Sequence, residues 1–235
     1  MDTQVKEMLA QKRWAVYGAS ANPDKFGYRI FKTLKRYGYE VYPVNPRESA
    51  IDGDPCFASL SALPAVVEVV DFVVPPAVAL QGLDECARLG IGRVWLQPGV
   101  NTPETVARAK QLGLAVVHQF CAIVESSKLA MLKEKRWAVA GAAAEELLGR
   151  LRLRGYELAP LDAPLPQTAA ALIAGPAAAT AAALRQCKAA GIEYVWLEPG
   201  AETEPLIELA LSLRLTVVHH ASLLDELAQL IPADG

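Results

Sequence analysis

At 235 residues, 52% hydrophobic and 21% charged, the chain has the composition of a soluble globular protein with room for one large domain or two small ones. A net charge of −3 gives no electrostatic reason to expect nucleic acid or an anionic membrane as partner, and no apolar run reaches the length of a membrane span. The polar opening "MDTQVKEMLAQKR" has no signal-peptide core, and the four scattered cysteines make no metal or disulfide spacing, so a cytoplasmic protein with reduced thiols is expected.

The opening segment has a helical pattern, and "WAVYG" (14–18) follows as a strand. "FGYRIFKTLKRYG" (26–38) is a helix with Phe26, Ile30, Phe31 and Leu34 on one side and Gly38 as its stop. "EVYPV" (40–44) is the second strand, and "VEVVDFVVP" (67–75) the third, ended by prolines that cannot continue a ladder. A helix over 77–90, a strand over 93–97, a helix over 102–113 with proline in its first turn, and a strand over 114–118 complete the series. Near-continuous apolar strands alternating with helices predict an α/β fold, a Rossmann-like doubly wound domain with a parallel sheet covered on both faces.

The series then repeats. "RWAVYGAS" (13–20) returns as "RWAVAGAA" (136–143), "GYEVYPVNP" (38–46) as "GYELAPLDA" (155–163), and "DFVVPPAVAL" (71–80) as "LIAGPAAATA" (172–181). "GIGRVWLQPGVN" (90–101) returns as "GIEYVWLEPGAE" (191–202), and "LGLAVVHQFC" (112–121) as "LRLTVVHHAS" (213–222). Conserved order and near-equal spacing predict two domains related by internal duplication, 1–128 and 129–235, joined through the charged, helical segment 125–136. A duplicated domain commonly mimics a two-fold homodimer within one chain.

Ligands of doubly wound sheets bind beyond the carboxyl ends of the strands, near the point where strand order reverses. After the first strand, "GASANPDKFGY" offers Gly18 and Ala19 for a tight turn, Ser20, Asn22 and Pro23 in the loop, the charge of Lys25, and Gly27 to open the helix. Free amides at that helix start suit a phosphate, although this is not G-x-G-x-x-G and also reads as an ordinary strand-to-helix turn. After the second strand stand Asn45, Pro46 and Arg47, where an NAD-binding domain places an acid for the ribose hydroxyl. Arg47 suits a ribose phosphate instead, which favours coenzyme A or NADP over NAD; the plain alternative is a solvated surface arginine. The apolar turns holding Val74 and Pro75, and Gln97 and Gly99, read as sides of a groove or as simple strand ends.

The stretches "VYGASANPDKFGYRI", "GYEVYPVNPR", "VWLQPGV" and "VVHQFCAIVE", covering almost all of residues 13–125, resemble the stand-alone coenzyme A-binding domain proteins, relatives of the N-terminal domain of the succinyl-CoA synthetase alpha subunit. The resemblance implies that CoA lies across these loops, with Gly18, Ala19 and Ser20 at the phosphates and Asn45, Pro46 and Arg47 at the adenosine end. Val74, Pro75 and Gln97 would then line the remaining groove. Many small members of that family carry a Phe-Arg pair after the third strand. This chain has "VVPP" there and lacks that phosphate contact.

In the second copy Ser20 corresponds to Ala143, Asn45 to Asp162, Gln97 to Glu198 and Cys121 to Ser222, and Lys25 has no counterpart. The apolar framework persists while polar groups disappear, so the second domain is expected to keep the fold without the ligand site. His118 and His219 occupy matching positions, which favours a structural role, and no histidine lies in a glycine-rich loop. Cys86 and Cys187 match within one helix and read as core. Cys121, three residues after His118, reads as a half-buried thiol, with a mixed disulfide with CoA or a Cys–His nucleophile as sharper alternatives. The reading is a non-enzymatic CoA-binding protein with one competent domain. Its alternatives are a ligase-like or CoA-transfer subunit that needs a partner, and a protein-interaction module with vestigial nucleotide pockets. A redox-sensing transcription regulator would need a DNA-binding domain ahead of Trp14; the dozen or so residues there are expected to be too few for a winged helix, and the acidic net charge of −3 argues against it.

Overall fold

The computed structural model describes residues 2–143 and 145–230. The chain divides into two compact units, Met1–Ser126 and Ser127–Gly235. In the first, helix α1 (Thr3–Leu9) leads into strand β1 (Arg13–Tyr17), helix α2 (Phe26–Arg36) and strand β2 (Glu40–Val44). A small antiparallel ribbon follows, made of β3 (Ala50–Ile51) and β4 (Asp54–Pro55). Then come β5 (Val69–Phe72), α3 (Pro76–Arg88), β6 (Arg93–Leu96), α4 (Pro103–Gln111) and β7 (Ala115–Val117). Helix α5 (Ala122–Lys133) carries the chain past Ser126.

The second unit runs β8 (Arg136–Gly141), α6 (Glu145–Leu153), β9 (Glu157–Pro160), β10 (Ala170–Ala174), α7 (Ala177–Ala189), β11 (Tyr194–Leu197), α8 (Glu204–Ser212), β12 (Thr216–Val218) and α9 (Leu223–Leu230). Each unit holds a five-stranded sheet with all neighbours parallel, ordered β2-β1-β5-β6-β7 and β9-β8-β10-β11-β12. Strand order therefore reverses between β1 and β5, and between β8 and β10. The expected α/β doubly wound class is the one observed. The ribbon at 50–55 has no counterpart among the described residues of the second unit, whose link between β9 and β10 is shorter.

Alternating residues of the strands face opposite helix layers. Ala15, Val70, Phe72, Val94 and Leu96 pack under α3 and α4, with Leu83, Cys86 and Ala109 from those helices. Trp14 and Trp95 face the other way, with ring centroids 6.0 Å apart. The second unit repeats this pair as Trp137 and Trp196, 6.5 Å apart. The indole N–H of Trp95 donates to Phe120 O and that of Trp196 to Ala221 O, each at 2.8 Å, so each buried indole is satisfied by the loop after its last strand. Cys86 and Cys187 are buried in α3 and α7, and burial pushes each thiol up to about 12, which makes them core residues.

One core assignment is corrected. Phe26 is 54% exposed, with the Arg29 guanidinium 5.2 Å above its ring. The buried stripe of α2 is Gly27, Ile30, Phe31 and Leu34, an i, i+3, i+4, i+7 set whose first member has no side chain to betray it.

Candidate functional site

The loops at the reversal between β1 and β5 are in backbone contact. Gly18 has φ +100, and a Cβ there would lie 2.5 Å from Val73 O and from Val74 Cγ1. A Cβ on Gly27 would overlap Gly18 O. These two glycines let the start of α2 cross directly over the β1 turn, and the Gly18 N–H donates to Val44 O at 2.8 Å, tying the turn to β2.

The loop between them is held by its own side chains and by Glu48, whose Oε1 accepts Ala21 N–H at 3.3 Å. Asn22 N–H donates to Ser20 Oγ at 3.1 Å, and Asp24 N–H to Asn22 Oδ1 at 2.9 Å. Lys25 caps α2 without a side-chain hydrogen bond to the helix, and the first turn of α2 has no acidic residue. The N-terminal end of an 11-residue helix, with its partial positive charge, thus opens beside an exposed lysine.

Asn45 connects this loop to the next. Its Nδ2 donates to Ala19 O at 2.7 Å, and its Oδ1 accepts Arg47 N–H at 2.9 Å. Pro46 and Arg47 are exposed at the outer end of the row, and Pro23 is exposed in the first loop. Val74 is half-buried and Pro75 exposed beyond β5, while Gly99, with φ +90, is exposed beyond β6. Gly18, Ala19, Ser20, Asn22, Lys25, Gly27, Asn45, Arg47, Val74 and Gly99 thus occupy one edge of one sheet, at the carboxyl ends of four neighbouring strands.

Gln97 differs from these. It is buried, 3% exposed. Its Nε2 donates to Asp71 Oδ1 at 2.6 Å, and its Oε1 accepts Ala122 N–H at 3.4 Å, at the start of α5. Asp71 is fully buried in β5, its Oδ2 has no partner among the described residues, and burial pushes its carboxyl up to about 7. Sequence reasoning passed over Asp71. Its signal was a lone acid inside an apolar, doubly covered strand. Cys121, half-buried next to this pair, has its thiol pushed up by burial, which favours the protonated thiol over the reactive thiolate.

The second unit keeps the turn and changes its chemistry. Gly141 has φ +82, and a Cβ there would overlap Ala174 O, so the close crossing of the β8 and β10 ends persists. Helix α6, however, carries Glu145 and Glu146 in its first turn. Those carboxylates answer the helix dipole themselves and repel a phosphate. Asp162 is exposed where Asn45 stands in the first unit. Glu198 accepts Leu223 N–H at 2.8 Å, and burial raises its carboxyl. Among the described residues no group of three or more His, Cys, Asp or Glu is placed to hold a metal ion, and no helix is long and apolar enough to cross a membrane.

A family model described as CoA binding domain matches residues 12–127 and again 137–228. The alpha subunit of the ADP-forming acetate–CoA ligase II of Pyrococcus furiosus is 38% identical over 109 residues, 45% of this chain. The chain spans only 24% of that subunit's length. The uncharacterized protein YneT of Bacillus subtilis is 29% identical over 123 residues, 50% of this chain and 88% of that protein. Among solved structures, a hypothetical protein from Pyrococcus horikoshii OT3 is similar at a TM-score of 0.53 and 31% identity, over 55% of this chain and 92% of its own.

Proposed function

The chain belongs to the CoA-binding domain family, and from that premise we propose that its first unit binds coenzyme A, or an acyl-CoA, across the carboxyl ends of β2, β1, β5 and β6, without itself catalysing a reaction. The turn Gly18–Ser20 and the start of α2, with Asn22, Pro23 and Lys25, receive the phosphates. Asn45, Pro46 and Arg47 flank the adenosine end, with Arg47 toward the ribose phosphate. Val74, Pro75 and Gly99 line the path of the pantetheine arm, and Gln97 supports it from beneath. The second unit keeps the fold and serves as structure.

One observation carries this reading: Gly27 lies directly on Gly18, so the acid-free start of α2 opens onto the reversal point of the sheet, beside Lys25. CoA and dephospho-CoA, which lacks the ribose phosphate, test it. Wild-type protein should bind CoA at least tenfold tighter than dephospho-CoA, and Arg47→Ala should abolish that difference, since a charge-assisted hydrogen bond contributes about 1.5–3 kcal/mol. Tighter binding of NADP or NAD than of CoA, measured by the same titration, would refute the assignment. Failure of every nucleotide to bind would favour an interaction module.

A ligase-like or CoA-transfer subunit is the second reading, favoured by the similarity to the acetate–CoA ligase alpha subunit. It requires a partner that supplies nucleotide chemistry. A phosphorylated His118, His219 or His220, or a stoichiometric co-purifying subunit, would support it over the non-catalytic reading.

A further inference from the structure

Beyond the Gly99 turn lies a cleft that the proposed CoA path does not use. It has a volume of about 400 Å³ and is lined by Asn101, Pro103, Val106, Ala107, Lys110 and His118. That volume lies within the usual range for small-ligand sites. Its floor and walls come from α4 and the loop after β7, the far edge of the sheet from Arg47.

Two hydrogen bonds tie the turn after β6 to the lining of the cleft. Gly99 N–H donates to Asn101 Oδ1 at 3.1 Å, and Asn101 Nδ2 donates to His118 O at 2.6 Å. Neighbouring strands lie about 4.8 Å apart, so the row from β2 to β7 extends for roughly 19 Å. A ligand laid along it with its adenosine end at β2 has its other end at β6 and β7. The cleft is apolar along Pro103, Val106 and Ala107, and polar at Lys110 and His118. Lys110 makes no ion pair among the described residues.

The second unit supplies a contrast. Lys110 corresponds to Leu211, Asn101 to Glu202, Pro103 to Glu204 and Ala107 to Glu208. The cation is gone and three carboxylates have arrived, in the same unit that lost Ser20, Lys25 and Arg47, while His118 persists as His219. The loss of Lys110 together with those residues is what a single extended ligand predicts.

We infer that this cleft takes the acyl end of a CoA thioester, and that Lys110 and His118 select an acyl chain ending in a carboxylate. The inference rests on the proposed CoA site. Apolar walls accept the methylene chain, and the ammonium and imidazole meet the terminal oxygens.

Glutaryl-CoA and valeryl-CoA, whose five-carbon chains differ only in a terminal carboxylate or methyl, are the probes, titrated calorimetrically into the full chain alongside CoA. Glutaryl-CoA should bind about tenfold or more tightly than valeryl-CoA. Lys110→Leu, the residue of the second unit, should erase that preference, and Lys110→Arg should restore it. Equal affinities in wild-type protein that still binds CoA would overturn the acyl-end inference alone. So would a preference that survives Lys110→Leu. Absence of CoA binding would overturn the underlying site and this inference together.

Discussion

Asp71 places an ionisable group at the centre of a parallel sheet, against Gln97 and away from solvent. Its carboxyl rises to about 7, against an ordinary value of 3.8. Between those values the folded state holds a proton that the unfolded chain releases. The contribution of this group to stability therefore falls as pH climbs from about 4 to 7, and the full loss stands above 7. Three pH units correspond to about 4 kcal/mol. Asn at this position keeps the acceptor for Gln97 and removes the titration. Asp71→Asn should be more stable than wild type at pH 8, with the gap shrinking toward pH 5, in chemical denaturation at the two values. A constant gap would show that Asp71 is ionised throughout. In the second unit Leu172 stands in place of Asp71 and Glu198 in place of Gln97, so the acid of this pair of positions moves from β5 to the end of β11. The placement of Asn45 and Arg47 in the loop after β2 was legible because a position after a strand is informative by itself. The depth of Gln97 was not, because it depends on packing against Asp71 and the start of α5, both distant in sequence.

At the scale of elements, α2 and α6 differ in the charge at their starts. Both helices follow the first strand of their sheets, and both begin at the edge where strand order reverses. Lys25 caps one; Glu145 and Glu146 open the other. Lys25→Glu would give α2 the electrostatics of α6. A carboxylate at a helix start stabilises by about 0.3–1 kcal/mol, so the melting temperature should hold or rise slightly while CoA affinity falls tenfold or more. An affinity that does not change would mean that the helix start is not the phosphate site. Element order and type could be read from alternating apolar runs and from Gly and Pro at their ends. The Phe26 error shows the limit of that reading. Periodicity assigns a face from side-chain character, and the contact that positions α2 is made by Gly27, which has no side chain.

At the scale of the molecule, duplication was visible in the sequence because strands, turns and tryptophans recur in order. The repeated Trp pairs, Trp14–Trp95 and Trp137–Trp196, show why those letters survive: each pair fills the same layer of its own unit, with one indole donating to the chain just before the first strand and the other to the loop after the last. What diverged is the ribbon β3–β4 and the chemistry of the sheet edge, where packing imposes little and ligand contacts impose much. Two copies of one fold with one retained site is the central claim. Calorimetric titration of the full chain with CoA tests it most directly. The account predicts saturation at about one CoA per chain, lost when Ser20→Ala and Arg47→Ala are combined. Saturation at about two per chain, or binding that survives the double substitution, would contradict it.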